Sequence, residues 1–436
     1  MTMKYYSTRR SVPDVSLSEA VIKGLASDNG LFMPERIERM PDDFFARMPE
    51  MDFRGIAFEV AKAFFGEDVP EQKLKEIVFD ALNFETPVVP VSEGIYSLEL
   101  FHGPTLAFKD VGARFMARML GYFMEQKGDH SPVTVLVATS GDTGSAVANG
   151  FLGVPGVDVV VLYPKGKVSA IQECQFTTLG KNITALEIDG AFDDCQRLVK
   201  LAFLDDELNQ KLRLSSANSI NVARFLPQAF YYFNACAQLM RKGSAKELVF
   251  CVPSGNFGNI TAGLFARRMG LPVKRFIAAN NLNDVFLQYL QAGRYMPRPS
   301  VATLANAMDV GDPSNVVRII DLYGGVHEAV AAEISGARYT DEDIRRIVKE
   351  THEKTGYLLD PHGACGYQAL LDGLKPGETG VFLETAHPAK FKETVDSIVG
   401  GSLEIPAKLQ SFMQGTKQSI EMDADFEGFK TYLLKR

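Results

Sequence analysis

Lys109 ends the run Leu-Phe-His-Gly-Pro-Thr-Leu-Ala-Phe-Lys and stands behind Leu106, Ala107 and Phe108, at the start of a helical pattern. A lysine held against apolar surface loses the hydration of its charged form. Its pKa falls and its amine becomes nucleophilic, as a Schiff-base lysine requires. Taken alone, the position equally suits an ordinary solvated lysine in a first helical turn. Its company weighs against that reading. Thr139-Ser140-Gly141-Asp142-Thr143-Gly144 and Ser254-Gly255-Asn256-Phe257-Gly258-Asn259 are glycine turns, each between an apolar run and a helical stretch. Glycines let successive backbone N–H groups converge on an anion, and a following helix N-terminus adds partial positive charge. Ser254 to Asn259 can hold a phosphate without any lysine. Each turn by itself also reads as a tight strand-to-helix connection.

A further polar cluster, Asn218-Ser219-Ile-Asn221-Val-Ala-Arg224, offers two more amides, a hydroxyl and a guanidinium. If it opens a helix, Asn221 and Arg224 share a face three residues apart. Arginine suits phosphate because its planar fork makes bidentate, charge-assisted contacts. The plain alternative is a polar helix start carrying a surface arginine. Lys165 and Lys167 in Pro164-Lys-Gly-Lys-Val-Ser169 form a second basic candidate, or else a solvated loop. His102 and His362 are either polar site residues or structural.

The elements that position these groups follow from periodicity. Val133–Ala138 and Leu248–Pro253 are continuous apolar runs of buried-strand type. Behind the first turn, Ser145–Phe151 reads as a helix and Val157–Tyr163 as a strand. Behind the second, Ile260–Met269 reads as a helix, ended by Gly270 and Pro272, with Val273–Ala279 as a strand. Two βαβ units imply an α/β protein with two open, mostly parallel twisted sheets flanked by helices, and an additional N-terminal segment. Ligands in such sheets bind beyond the carboxyl ends of the strands. We divide the chain into an N-terminal segment 1–95, a smaller α/β domain 96–215 with Lys109 and the first turn, and a larger α/β domain 216–436 with the second. The polar tail after Pro406 is expected to pack on the outside.

Composition excludes several classes. The 436 residues are 46% hydrophobic and carry 46 basic against 54 acidic side chains, a formal charge of −8. That balance argues against nucleic acid or an anionic membrane as the main partner. No apolar run is long enough to span a bilayer, and the first ten residues lack the apolar core of a secretory signal. Five scattered cysteines without a Cys-x-x-Cys point to reduced thiols in a cytoplasmic protein, with no structural metal. Gly-x-Gly, the P-loop and the Gly-x-Ser-x-Gly elbow are all absent, which removes the usual dinucleotide, nucleotide-triphosphate and serine-hydrolase fingerprints.

A Schiff-base lysine, a phosphate cradle and a second anion site for a carboxylate together suit pyridoxal 5'-phosphate. In that order, Ala-Phe-Lys-Asp (107–110), Ala-Thr-Ser-Gly-Asp-Thr-Gly-Ser-Ala (138–146) and Pro-Ser-Gly-Asn-Phe-Gly-Asn (253–259) resemble the threonine synthase family, of the tryptophan-synthase-like class (fold type II). The resemblance extends to Tyr5–Arg9, Leu17–Val21, Gly30–Glu35, Asn306–Gly311, Pro313–Asn315, Asp360–His362 and Glu384–Phe391, in the pattern of the shorter bacterial enzymes. It implies a lyase of threonine biosynthesis that converts O-phospho-L-homoserine and water to L-threonine and phosphate. Lys109 would carry the cofactor and move protons. Ser254, Gly255, Asn256, Phe257, Gly258 and Asn259 would bind its phosphate. Thr385 would meet the pyridine nitrogen, although it also reads as a helix N-cap ahead of Pro388. Thr139, Ser140, Gly141 and Thr143 would flank the substrate carboxylate, and Asn218, Ser219, Asn221 and Arg224 its phosphate. Asp142 falls where relatives carry an asparagine on the cofactor hydroxyl, and a carboxylate there would repel a phenolate. Two other readings remain: a lyase releasing 2-oxobutyrate or a serine/threonine dehydratase, and a protein that binds a phosphorylated ligand without chemistry.

Overall fold

The computed structural model describes residues 2–127 and 132–436. Among them three sheets form. The five-stranded sheet runs Ile420–Asp423, Ile183–Asp189, Val157–Pro164, Val133–Ala138, Arg213–Ser216, with every pair parallel. The six-stranded sheet runs Ile334–Arg338, Val273–Asn280, Leu248–Pro253, Thr379–Glu384, Ile95–Glu99, Val88–Ser92, and only the last pair is antiparallel. A small antiparallel sheet near the N-terminus places Lys4–Ser7 between Val15–Ser16 and Phe32–Pro34.

Both expected βαβ units are present. Helix Asp142–Phe151 joins Val133–Ala138 to Val157–Pro164, and helix Gly258–Arg268 joins Leu248–Pro253 to Val273–Asn280. Each helix starts two or three residues earlier than its apolar pattern, because the last residues of the glycine turn already form the first helical turn. The central strands are buried on both faces, which is why they read as unbroken apolar runs. Leu248, Phe250 and Val252 join the main core, while Val249 and Cys251 pack under helices Asp341–Thr355 and Pro361–Gly373. Helix Lys109–Lys127 buries Val111, Phe115, Met119 and Phe123, the stripe its sequence predicts.

Sheet membership corrects the contiguous boundaries at 95 and 215. Ile95–Glu99 pairs with Thr379–Glu384 in the six-stranded sheet, although most of 96–215 builds the five-stranded one. Ile420–Asp423 pairs with Ile183–Asp189 in the five-stranded sheet, although it lies in the 216–436 segment. The tail is likewise more than an outer layer, since Phe429 and Leu433 fill the core beside Leu198 and Leu208. Strand pairing recruits whichever segment presents a matching edge, regardless of position along the chain. No helix among the described residues is long and apolar enough to cross a membrane.

Arg318, fully buried in helix Val316–Leu322, ties the N-terminal segment to the rest. Its guanidinium donates to the carbonyls of Phe32 (3.0 Å), Ser219 (2.9 Å) and Ile220 (2.5 Å) and to Asn315 Oδ1 (2.6 Å), and lies 4.0 Å from the Phe225 ring centre. Arg318→Met leaves those buried acceptors unpaired, at about 1–3 kcal/mol each. We expect urea unfolding to show a loss of about 3 kcal/mol or more. A loss below about 1 kcal/mol would mean that the N-terminal segment is held by apolar packing alone.

Candidate active site

The carboxyl ends of three strands converge on one pocket. Val133–Ala138 leads into Ser140 and Thr143, Leu248–Pro253 into Gly255–Asn259, and Thr379–Glu384 into Thr385, all of which line it with Lys109, Asn218, Ser219 and Arg224. Lys109 arrives by a short extended stretch paired with the end of the third strand. Ala107 bridges Ala386, the Phe108 N–H donates to the Thr385 carbonyl (2.8 Å), and that of His387 donates to Leu106 (3.1 Å). The lysine and Thr385 are thereby fixed in one wall. Thr385 is not a helix cap: that position belongs to His387, whose Nδ1 accepts from the Ala389 N–H (3.1 Å).

Lys109 is a depressed lysine. Burial is the main cause, lowering it to about 8; Asp142 pulls it upward, while Lys390 and Arg224 push it down further. Asp142 does not line the pocket. Its carboxylate meets Lys390 Nζ (2.6 Å) and Gln172 Nε2 (2.8 Å). Burial favours its neutral form, but Lys390 and then Lys109 outweigh that and hold it ionised, down at about 2.

The turn after Leu248–Pro253 fits an anion. Ser254 N–H donates to Ala279 (3.0 Å), yet the N–H groups of Gly255, Asn256, Phe257, Gly258 and Asn259 donate to no oxygen of the described residues. Phe257 sits in the left-handed region (φ 61°), which turns these donors toward one side, at the head of helix Gly258–Arg268. Ser254 contributes only backbone, because its hydroxyl donates to Val252 (2.8 Å). The turn is braced from below: Asn315 Nδ2 donates to the Asn256 carbonyl (2.9 Å) and to Ser219 Oγ (2.9 Å). Gly255 is required for a different reason than cofactor clearance, since a Cβ there would lie 2.5 Å from the Ala307 carbonyl oxygen.

In the first turn, Thr139 is a brace and not a pocket residue; its hydroxyl accepts the N–H groups of Gly141 (2.9 Å) and Gly144 (2.8 Å). Gly141 has φ 140° and presses on Gln172, whose side chain a Cβ would meet at 2.6 Å. The N–H groups of Ser140, Asp142 and Thr143 are left without an oxygen partner among the described residues, a second anion-binding set. Arg224 is buried, with Nη1 on the Lys109 carbonyl (3.0 Å) and Nε without a partner, and burial lowers it to about 10.

One expectation fails, and two open choices resolve to their plain alternatives. Asn221 is fully buried and consumed as the N-cap of Val222–Phe225, accepting from Ala223 N–H (3.0 Å) and donating to Val21 (2.9 Å) and Ser216 (3.2 Å). The helix begins after it, so it does not share a face with Arg224. Lys165 is an exposed partner of Glu421 (2.7 Å), and neither it nor Lys167 reaches the pocket. His102 binds Glu99 (2.8 Å), also outside the pocket. His362, in contrast, is a buried wall residue. Its Nε2 accepts from the Ala307 N–H (3.2 Å), so the proton is on Nδ1, facing Asp360 Oδ1 at 2.5 Å. Sequence reasoning gave no role to Asn306–Val310, Asp360 or Lys390, although all fall in motifs quoted above. Their side chains become informative only when distant segments meet.

Unfilled N–H groups facing a desolvated lysine fit a phosphorylated aldehyde cofactor, and the comparisons agree. Residues 82–385 match the sequence profile described as "Pyridoxal-phosphate dependent enzyme", and this fold and site define an enzyme of that class with pyridoxal 5'-phosphate as cofactor. Residues 4–82 match "Threonine synthase N terminus" and 363–433 match "Threonine synthase, C-terminal". The chain is 46% identical to a threonine synthase of Escherichia coli over 99% of both sequences. The crystal structure of threonine synthase from Escherichia coli superposes with a TM-score of 0.93, at 46% identity, over 99% of this chain and 100% of that one. For the pyridoxal-phosphate-bound threonine synthase of Brucella melitensis the TM-score is 0.91, at 35% identity, over 100% and 99%. The chain belongs to the threonine synthase family, and its activity is that of a pyridoxal-phosphate-dependent lyase.

The lowered pKa predicts selective reactivity. At pH 7.5 roughly a quarter of Lys109 is neutral, against roughly 0.1% of an ordinary lysine. Acylation of the cofactor-free full-length chain, mapped by peptide mass spectrometry, should therefore mark Lys109 first, with a midpoint near pH 8. A midpoint near 10 would show a solvated ammonium.

Proposed function

We propose that this chain converts O-phospho-L-homoserine and water to L-threonine and phosphate. The observation that carries the reading is the placement of Lys109 between two unfilled N–H sets and the Arg224 guanidinium, in a chain of the threonine synthase family. When bound, the cofactor supplies an electron sink for charge developing on the substrate carbons.

Each residue then has a task. Lys109 would hold the cofactor covalently, and as a free amine it is a base whose pKa near 8 suits proton transfer at neutral pH. The N–H groups of Gly255 to Asn259 hold the cofactor phosphate, with Ser254 serving through its backbone. Thr385 presents a neutral hydroxyl to the ring nitrogen, which does not force a proton onto it. Ser140 and Thr143 offer N–H groups to the substrate carboxylate, on a loop shaped by Thr139 and Gly141. Arg224, with Asn218 and Ser219, receives the leaving phosphate; its free Nε and its grip on the Lys109 carbonyl put that charge close to the base. Asp142 acts through Lys390 and Lys109, since its carboxylate is turned away from the pocket and balanced by a cation. We infer a cytoplasmic location, supported by five cysteines that are all free thiols.

Incubation with O-phospho-L-homoserine should release phosphate and threonine in equal amounts. Phosphate accompanied by 2-oxobutyrate and no threonine would overturn the reading in favour of elimination alone. Lys109→Ala should abolish turnover in a folded protein, and borohydride should fix the cofactor on Lys109 of the unsubstituted enzyme.

Arg224→Lys should keep cofactor absorbance while kcat/KM falls ~30- to 1000-fold, the equivalent of about 2–4 kcal/mol, because lysine lacks the bidentate fork. A loss below threefold would place the phosphate elsewhere.

A further inference from the structure

Lys390 is the one lysine among the described residues buried to zero exposure, and it does not line the pocket. It lies within the turn Pro388–Phe391, just past strand Thr379–Glu384 of the six-stranded sheet. Its Nζ donates to the Thr105 carbonyl (2.8 Å) and pairs with Asp142 Oδ1 (2.6 Å). Asp142 belongs to a helix on the five-stranded sheet, so this ion pair joins the two sheets behind the pocket wall. Gln172 and Ser169 complete the seam. Gln172 donates to Asp142 (2.8 Å), while Ser169 caps the helix that carries Gln172 and donates to the Lys390 carbonyl (3.2 Å).

A buried carboxylate and a buried ammonium beside a third ionisable group are coupled to it by an environment that screens weakly. The groups facing Lys109 are Asp142 from helix Asp142–Phe151, Lys390 from the turn, and Arg224 from helix Val222–Phe225. Lys390 is also faced by Asp110, whose carboxylate is occupied by the Thr105 N–H (2.9 Å) and hydroxyl (2.7 Å), and by His387, which burial keeps neutral with a pKa near 4. Asp142 alone would favour the protonated form of Lys109; Lys390 alone would oppose it.

We propose that Lys390 is a positioning residue for the cofactor lysine: it balances Asp142 across a buried ion pair, and that balance sets how readily Lys109 gives up its proton. The pair does not touch the reacting atoms. It lets an aspartate stand behind the pocket wall without presenting a bare negative charge to the site. The proposal rests on Lys109 as the cofactor-bearing residue. Failure of that reading would appear separately, as borohydride fixing the cofactor on a different lysine.

The test is a charge cycle read on Lys109 itself, by the pH midpoint of its acylation in the cofactor-free full-length chain. Asp142→Asn leaves the Lys390 charge unbalanced and should lower the midpoint by about one unit. Lys390→Met leaves the Asp142 charge unbalanced and should raise it by about one unit, a tenfold fall in neutral Lys109 at pH 7. The double variant should return to within about half a unit of the unsubstituted chain, and Lys390→Arg, which keeps the charge, should stay there too. A purely structural role would not produce shifts of opposite sign that cancel. Shifts in the same direction, or none in Asp142→Asn, would overturn the proposal. Should Lys390→Met fail to fold, the Asp142→Asn and Lys390→Arg midpoints still decide it.

Discussion

A guanidinium with no carboxylate partner holds this structure together at its centre. Arg318 is stripped of water, which disfavours its charge and lowers it to about 9, yet it remains the donor for three backbone carbonyls from two separate segments. Backbone carbonyls at loop ends have no ladder to join and must be paired some other way. Through Asn315, Arg318 also braces Asn256 and Ser219, and hence the floor of the pocket. The turn Gly255–Asn259 keeps its N–H groups unpaired because its carbonyl side is already anchored. An anion site needs donors that the protein itself does not consume, and a rigid support beneath them is what prevents collapse onto local oxygens.

Charge burial then shapes the chemistry. Four ionisable side chains, Lys109, Asp142, Lys390 and Arg224, surround or back one pocket, and three of them are basic. In water their mutual effects would be screened to little. Here desolvation favours the neutral amine of Lys109, while the close Lys390 contact keeps Asp142 ionised against the same desolvation. The same burial thus yields a base at one position and a permanent carboxylate at the next, because only one of them has a close counter-ion. The cationic excess suits substrate and cofactor that each bring phosphate, and it is placed where backbone dipoles of two helices already point.

Sequence periodicity was enough for the parts of the fold that repeat locally. Val133–Ala138 and Leu248–Pro253 form strands over the spans their apolar runs predict, since a strand buried on both faces has no other way to appear in sequence. Gly255–Asn259 was legible as an anion turn for the same reason: successive free N–H groups are a property of the local backbone. Lys109 was legible because its apolar approach is contiguous with it. Asn221 misled because an amide at a helix start can serve as a cap or as a ligand, and the choice depended on Val21 and Ser216, which lie on other elements.

The chain's own order of residues therefore determined the class of fold and, through its motifs, the family, and it marked two turns as candidate anion sites and Lys109 as the candidate cofactor lysine. Tertiary structure alone decided which strands share a sheet, the partner of Asp142 and the tautomer of His362. It also turned Thr139, Ser254 and Asn221 into braces while leaving Arg224, which lines the pocket, with a buried Nε that has no partner among the described residues. The division has a physical origin. Helical and strand periods, turn conformations and exposed N–H groups depend on neighbours a few residues away. Charge pairing and desolvation depend on what lies within a few ångströms in space, and Lys390 meets Asp142 across more than half of the sequence.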